Sequence, residues 1–130
     1  MEKYNLYQAS YQRCMGNDDF LPLFYSLFIN ADIAIKDMFG STDKEQQILT
    51  LKASLAMLQP AQDLITHEQL IKSIALRHKK MNIAPHLFNV WFDCLMQAVK
   101  QYDPQYNEDL HTIWREQLDF GIKLMTKESQ

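Results

Sequence analysis

The chain has 130 residues, enough for one domain with a sizeable core, and its 47% apolar and 22% charged residues are ordinary for a soluble globular protein. Three glycines and four prolines are too few for an all-β protein full of tight turns, or for a Gly-rich loop cradling phosphate. A net charge of −3 gives no reason to expect a nucleic acid or an anionic membrane as partner.

In chain order, an amphipathic segment from about Tyr4 to Met15 ends near Gly16-Asn17, a suitable C-cap. Asp18 or Asp19 then caps a second helix with Leu21, Phe24, Tyr25 and Phe28 as its apolar stripe. A kinked stretch runs from Ile33 to Phe39 and stops at Gly40. Thr42-Asp43-Lys44-Glu45 reads as a capping box, opening a helix that buries Ile48, Leu51, Leu55 and Leu58 before Pro60 ends it. Thr66-His67-Glu68-Gln69 reads as a second capping box, and the helix it opens carries Ile71, Ile74 and His78 on one side. Its end, Arg77-His78-Lys79-Lys80, is the only dense basic run and complements the helix dipole.

Pro85 suits the first position of the next helix, which turns Leu87, Trp91, Cys94, Leu95 and Ala98 inward. Asp103-Pro104 repeats the cap-then-proline pattern ahead of a last helix burying Leu110, Trp114, Leu118, Ile122 and Met125. The acidic residues of Asp18-Asp19 and Asn107-Glu108-Asp109 read as first-turn residues at helix N-termini. No stretch alternates with period two. Six or seven helices with short connections predict one all-α domain over residues 1–130, packed ridges into grooves.

Cys14 and Cys94 stand far apart and match no CxxC pattern, so reduced thiols in a cytoplasmic protein are expected, with one long-range disulfide as the alternative. Without CxxCH, any haem is held non-covalently. The N-terminus lacks the apolar core of a signal peptide, and no apolar stretch is long enough to span a membrane.

Four histidines carry the remaining chemistry. His67, His86 and His111 read as surface or satisfied core residues. His78 lies one turn after Ile74 and two after Ile71, so it projects from an apolar face near a helix end, where an imidazole must find a partner. Neutral imidazole is a good ligand for haem iron. A buried structural histidine is the plainer reading, and a metal such as zinc shared with His67 a further one, though no Cys or close carboxylate completes a tetrahedral set. HExxH, P-loop and nucleophile-elbow motifs are all missing. Seven methionines and the aromatic stripes read as core filling.

In their order and spacing, these residues resemble the bacterial single-domain globins from about Asn17 to Lys127. Phe24-Tyr25 and Met38-Phe39 resemble the family's second helix and the turn after it. Thr42 to Gln47, with Leu51 and Ser54-Leu55, is similar to the start of the distal helix. Arg77-His78, Ile83-Ala84-Pro85 and Leu87-Phe88 are similar to the proximal histidine and the helix beyond, and Trp114-Arg115-Glu116 with Gly121-Ile122 to the last helix.

The resemblance implies a globin fold of six to seven helices around a haem b pocket. It makes His78 the proximal iron ligand, Phe39 the ring against the haem face, and Leu51 an apolar wall. Phe88 and Trp91 fall on the proximal side, Ile74 lines the pocket, and Arg77 offers a basic rim for the haem carboxylates. Tyr25 and Gln47 match the distal pair that meets a bound gas, with Phe24 and Gln46 as the alternatives one residue earlier. A dioxygen ligand takes on partial negative charge, which a Tyr hydroxyl or a Gln amide stabilises by ~1–3 kcal/mol where water is excluded.

One departure bears on function. Flavohaemoglobin relatives place a hydrogen-bonded Tyr and Glu beside the proximal histidine, where this chain has Phe88 and, only near the expected place, Glu128. A less basic imidazole weakens the case for peroxidase-like activation. The expectation is a haem protein that reversibly binds oxygen, and NO or CO, for oxygen handling or nitric oxide defence. Nitric oxide dioxygenation or weak peroxidase activity is the enzymatic alternative and would draw on a separate reductase. A non-haem interaction or sensor module is the third reading.

Overall fold

The computed structural model describes residues 2–39, 43–59, 64–80 and 83–128, and of residues 64–67 and 128 the backbone alone. Among the described residues there are seven α-helices and no strand: α1 (Glu2–Met15), α2 (Phe20–Ile29), α3 (Ile33–Phe39), α4 (Lys44–Met57), α5 (Leu64–Lys80), α6 (His86–Tyr102) and α7 (Glu108–Glu128). Helix α2 packs on α6 and on α4, α5 lies along α7, and α1 closes over α7. No helix among the described residues is long and apolar enough to cross a membrane.

Except for α3, which buries Ile35 alone, each helix buries residues at three- and four-residue spacing, the period that puts side chains on one face. In α2 the stripe is Phe20, Phe24 and Phe28, and Phe24 meets Trp91 of α6 edge-on with ring centroids 5.6 Å apart. In α4 it is Gln47, Leu51 and Leu55, continued by Leu58; in α5, Ile71 and Ala75 with His78 one turn on. The inward residues expected of α6 and α7 are all buried. Gly121 lets α7 come close, since a Cβ there would fall 2.4 Å from Leu58 Cδ2.

Several predicted helix starts are corrected. Helix α5 begins at Leu64, so Thr66 lies inside the helix and cannot cap it. Asp103-Pro104 does not open α7: the Leu110 amide donates to Asn107 Oδ1 at 2.8 Å, and Asn107 is the cap. Asp19 precedes α2 without a capping bond from its side chain, while Asn17 Oδ1 accepts the Asp19 amide at 2.9 Å. The stretch after α2 is a separate helix, α3, started by Asp32, whose Oδ1 accepts the Ala34 amide at 2.9 Å. Gly40, Thr42 and Pro60 lie outside the described residues.

Asp103 has a different task, one that proline spacing obscured. Its carboxylate is 2% exposed and receives Arg13 Nε at 2.7 Å, Arg13 Nη2 at 2.9 Å, the Ser10 hydroxyl at 2.5 Å and the Gln105 amide at 2.9 Å. Ser10 Oγ in turn accepts the indole N–H of the fully buried Trp114 at 2.9 Å. One buried charge thus ties α1, the end of α6 and the middle of α7 together, with its lone pairs satisfied. Cys14 and Cys94 are both buried and free, and burial pushes their thiols up to about 12 and about 11.

Burial alone would raise the Asp103 pKa, but the bonds from Arg13, Ser10 and the Gln105 amide outweigh it and hold the carboxyl below its usual range. The folded state therefore binds this proton less readily than the unfolded chain, and the stabilisation is complete above about pH 4, the unfolded value. It is lost as the pH falls through the lower folded value. Replacing Asp103 by Ala is expected to cost about 3 kcal/mol in urea unfolding at pH 7, because Arg13 and Ser10 lose their shared acceptor. The deficit relative to wild type should shrink on acidification.

Candidate functional site

The amphipathic stripe of α4 carries a polar residue into the interior. Gln47 occupies the position one turn before Leu51 and is 2% exposed, whereas Gln46 is exposed, with its backbone carbonyl accepting the Thr50 hydroxyl at 3.0 Å. A buried amide without partners is costly, and Gln47 has them on both ends. Its Oε1 accepts the hydroxyl of Tyr25, and its Nε2 donates to the backbone carbonyl of Phe39. The same side chain thus bridges α2 and the last residue of α3.

Tyr25 is available for this because it lies one residue round the helix from Phe24. Phe24 is fully buried against Trp91, while Tyr25 is half-buried and faces α4. The ammonium of Lys44 sits 6.0 Å from the Tyr25 ring centroid. Phe39 is half-buried, its ring edge-on to Phe28 at 6.3 Å.

A second group centres on His78. Its Nδ1 is out of solvent and has no hydrogen-bond partner, the one buried side-chain polar atom so placed among the described residues. Burial pushes the imidazole pKa below its usual 6.5, which favours the neutral ring with a free lone pair. The neighbouring ring is Phe88, tilted by 48° at 5.5 Å between centroids, and it offers no acceptor or donor. The backbone carbonyl of His78 accepts the Ile83 amide at 3.2 Å, closing the end of α5.

The other predicted site residues are more dispersed. Leu51 is buried in the core, Ile74 is half-buried and Arg77 is exposed near the end of α5. Trp91 is buried in the α2–α6 contact. The side chains of His67 and Glu128 lie outside the described residues. Among the described residues no group of three or more His, Cys, Asp or Glu could hold a metal ion. His86 reaches Asp32 Oδ2 at 3.2 Å and His111 the Tyr106 hydroxyl at 2.9 Å, as expected of satisfied histidines.

Sequence reasoning missed the Phe39 carbonyl and Lys44. A backbone acceptor leaves no mark in side-chain patterning, and Lys44 read as an ordinary helix-start residue.

The globin family's sequence profile matches residues 23–122, and the chain belongs to the globin family. Among solved structures it is similar to a Pseudomonas aeruginosa protein described as structurally highly homologous to a human hemoglobin. That protein is 22% identical with a TM-score of 0.83, and 98% of each chain is covered. The likeness is one of fold. No curated protein matches the chain.

Family membership supports a haem-binding, ligand-carrying role in general. The residues present fit the group, because a half-buried imidazole whose pKa burial lowers offers the neutral ring that an iron ligand requires. In haem-free protein, an NMR pH titration should place His78 below 6.5, the direction burial dictates. A His78 titrating above that value would show a ring that is solvated or paired.

Proposed function

We propose that this chain holds haem b through His78 and reversibly binds a diatomic gas, for oxygen handling or nitric oxide defence. The observation that carries this reading is the buried His78 Nδ1 that no protein group engages. Haem, when bound, would supply a ferrous iron able to take dioxygen, NO or CO.

The chain's own residues do the rest. His78, kept neutral by burial, presents a lone pair without first losing a proton. Phe39, Leu51, Ile74, Phe88 and Trp91 supply apolar surface suited to a flat porphyrin, and Arg77, in solvent, suits a haem carboxylate at the rim. Tyr25 and Gln47 form the polar pair beside the gas. Phe88 gives His78 no polar neighbour that would make it more electron-donating, which favours carriage over peroxidase-like chemistry.

The test is gas binding by the ferrous haem protein. Oxygen should bind and leave on cycling its pressure, and Tyr25→Phe should speed oxygen release roughly tenfold, the worth of one hydrogen bond to a charged acceptor. Carbon monoxide, a weak acceptor, should leave at nearly the wild-type rate. Rapid conversion of the oxy form to ferric haem and nitrate on adding NO would favour the dioxygenase, with a separate reductase. Protein that takes up no haem would instead be an interaction or sensor module.

A further inference from the structure

The hydrogen bonds of Gln47 run in a particular direction, and that direction bears on gas selectivity. Gln47 Nε2 donates to the Phe39 carbonyl, a backbone acceptor at the end of α3, and Gln47 Oε1 accepts the Tyr25 hydroxyl proton. The amide orientation is fixed by this pairing. A flipped amide would set Oε1 against the Phe39 carbonyl oxygen, two acceptors facing one another. The carbonyl therefore dictates which end of Gln47 faces Tyr25, and that end is an acceptor.

We infer that Gln47 is a positioning residue that competes with the gas for the Tyr25 proton, rather than a donor to the gas itself. The inference rests on the haem reading above and assigns roles within its distal pair. Tyr25 has one hydroxyl proton. A ligand gains it only by being a better acceptor than the Gln47 amide oxygen, so the pair selects for ligands that carry negative charge. Dioxygen held by a ferrous haem would meet that condition, and carbon monoxide would not. Burial sharpens the competition, because Gln47 is 2% exposed and its amide oxygen has little water to turn to in place of the tyrosine.

The two roles predict opposite signs. Removing a donor weakens oxygen binding, whereas removing a competitor strengthens it. Gln47→Leu should slow oxygen release several-fold in the ferrous haem protein, and lower the infrared stretching frequency of the carbon monoxide complex as the freed hydroxyl turns toward the ligand. Gln47→Met, which fills the site with an unbranched apolar chain, should act in the same direction and guards against a packing defect peculiar to leucine. In a Tyr25→Phe background the Gln47→Leu change should have almost no effect on either quantity, since the contested proton is gone.

Faster oxygen release in Gln47→Leu in both backgrounds would make Gln47 a direct donor and overturn the inference. So would Gln47 variants with unchanged release and stretching frequency while Tyr25→Phe alone speeds release. Failure of the wild-type protein to form a gas complex would instead overturn the haem reading, and this inference with it.

Discussion

An imidazole nitrogen removed from water loses its hydration, and something must replace it. His78 is where that constraint bears on this chain. Helix α5 turns Ile71 and Ala75 into the core and, one turn later, brings His78 along the same side. The ring meets Phe88, which compensates nothing polar, and Nδ1 stays unpartnered. Folding the α5 stripe against its neighbours thus obliges the protein to keep a neutral, uncommitted nitrogen inside. In a chain that belongs to the globin family, a neutral histidine so placed suits a haem ligand.

The other buried polar groups behave differently, which gives the orphan its weight. Asp103 is met by Arg13, Ser10 and the Gln105 amide, and Trp114 by Ser10. Gln47 is met at both ends of its amide. These groups cost folding little because their bonds are made within the protein. The Asp103 network anchors α1, α6 and α7, while the Gln47 bridge ties α2, α3 and α4. Among the described residues the frame therefore has its buried polar side chains partnered, and the unmet atom falls at His78.

Most of the fold was legible in the sequence, because helical stripes such as Leu87, Trp91, Leu95 and Ala98 leave a period that burial then obeys. Helix starts were less legible. The Thr66 box and the Asp103-Pro104 pair both had the right residue types at capping spacing, yet α5 already begins at Leu64, and Arg13 and Ser10 claimed Asp103. His78 stood out as a polar side chain on an apolar face, whereas Gln47 was reached through the family resemblance, with Gln46 as its rival. What joins Tyr25, Gln47 and the Phe39 carbonyl was not readable, because it depends on three helices meeting and on a backbone atom.

The central claim is that His78 is the ligand that holds haem, and ligand rescue tests it most directly. The absorption spectrum of the ferrous protein and its carbon monoxide complex would be recorded for wild type, for His78→Gly, and for His78→Gly with free imidazole added. The account predicts a Soret band that shifts with carbon monoxide in wild type, altered haem coordination in the glycine variant, and recovery of the wild-type spectrum when imidazole occupies the vacated space. A glycine variant with a spectrum identical to wild type, with or without imidazole, would contradict it.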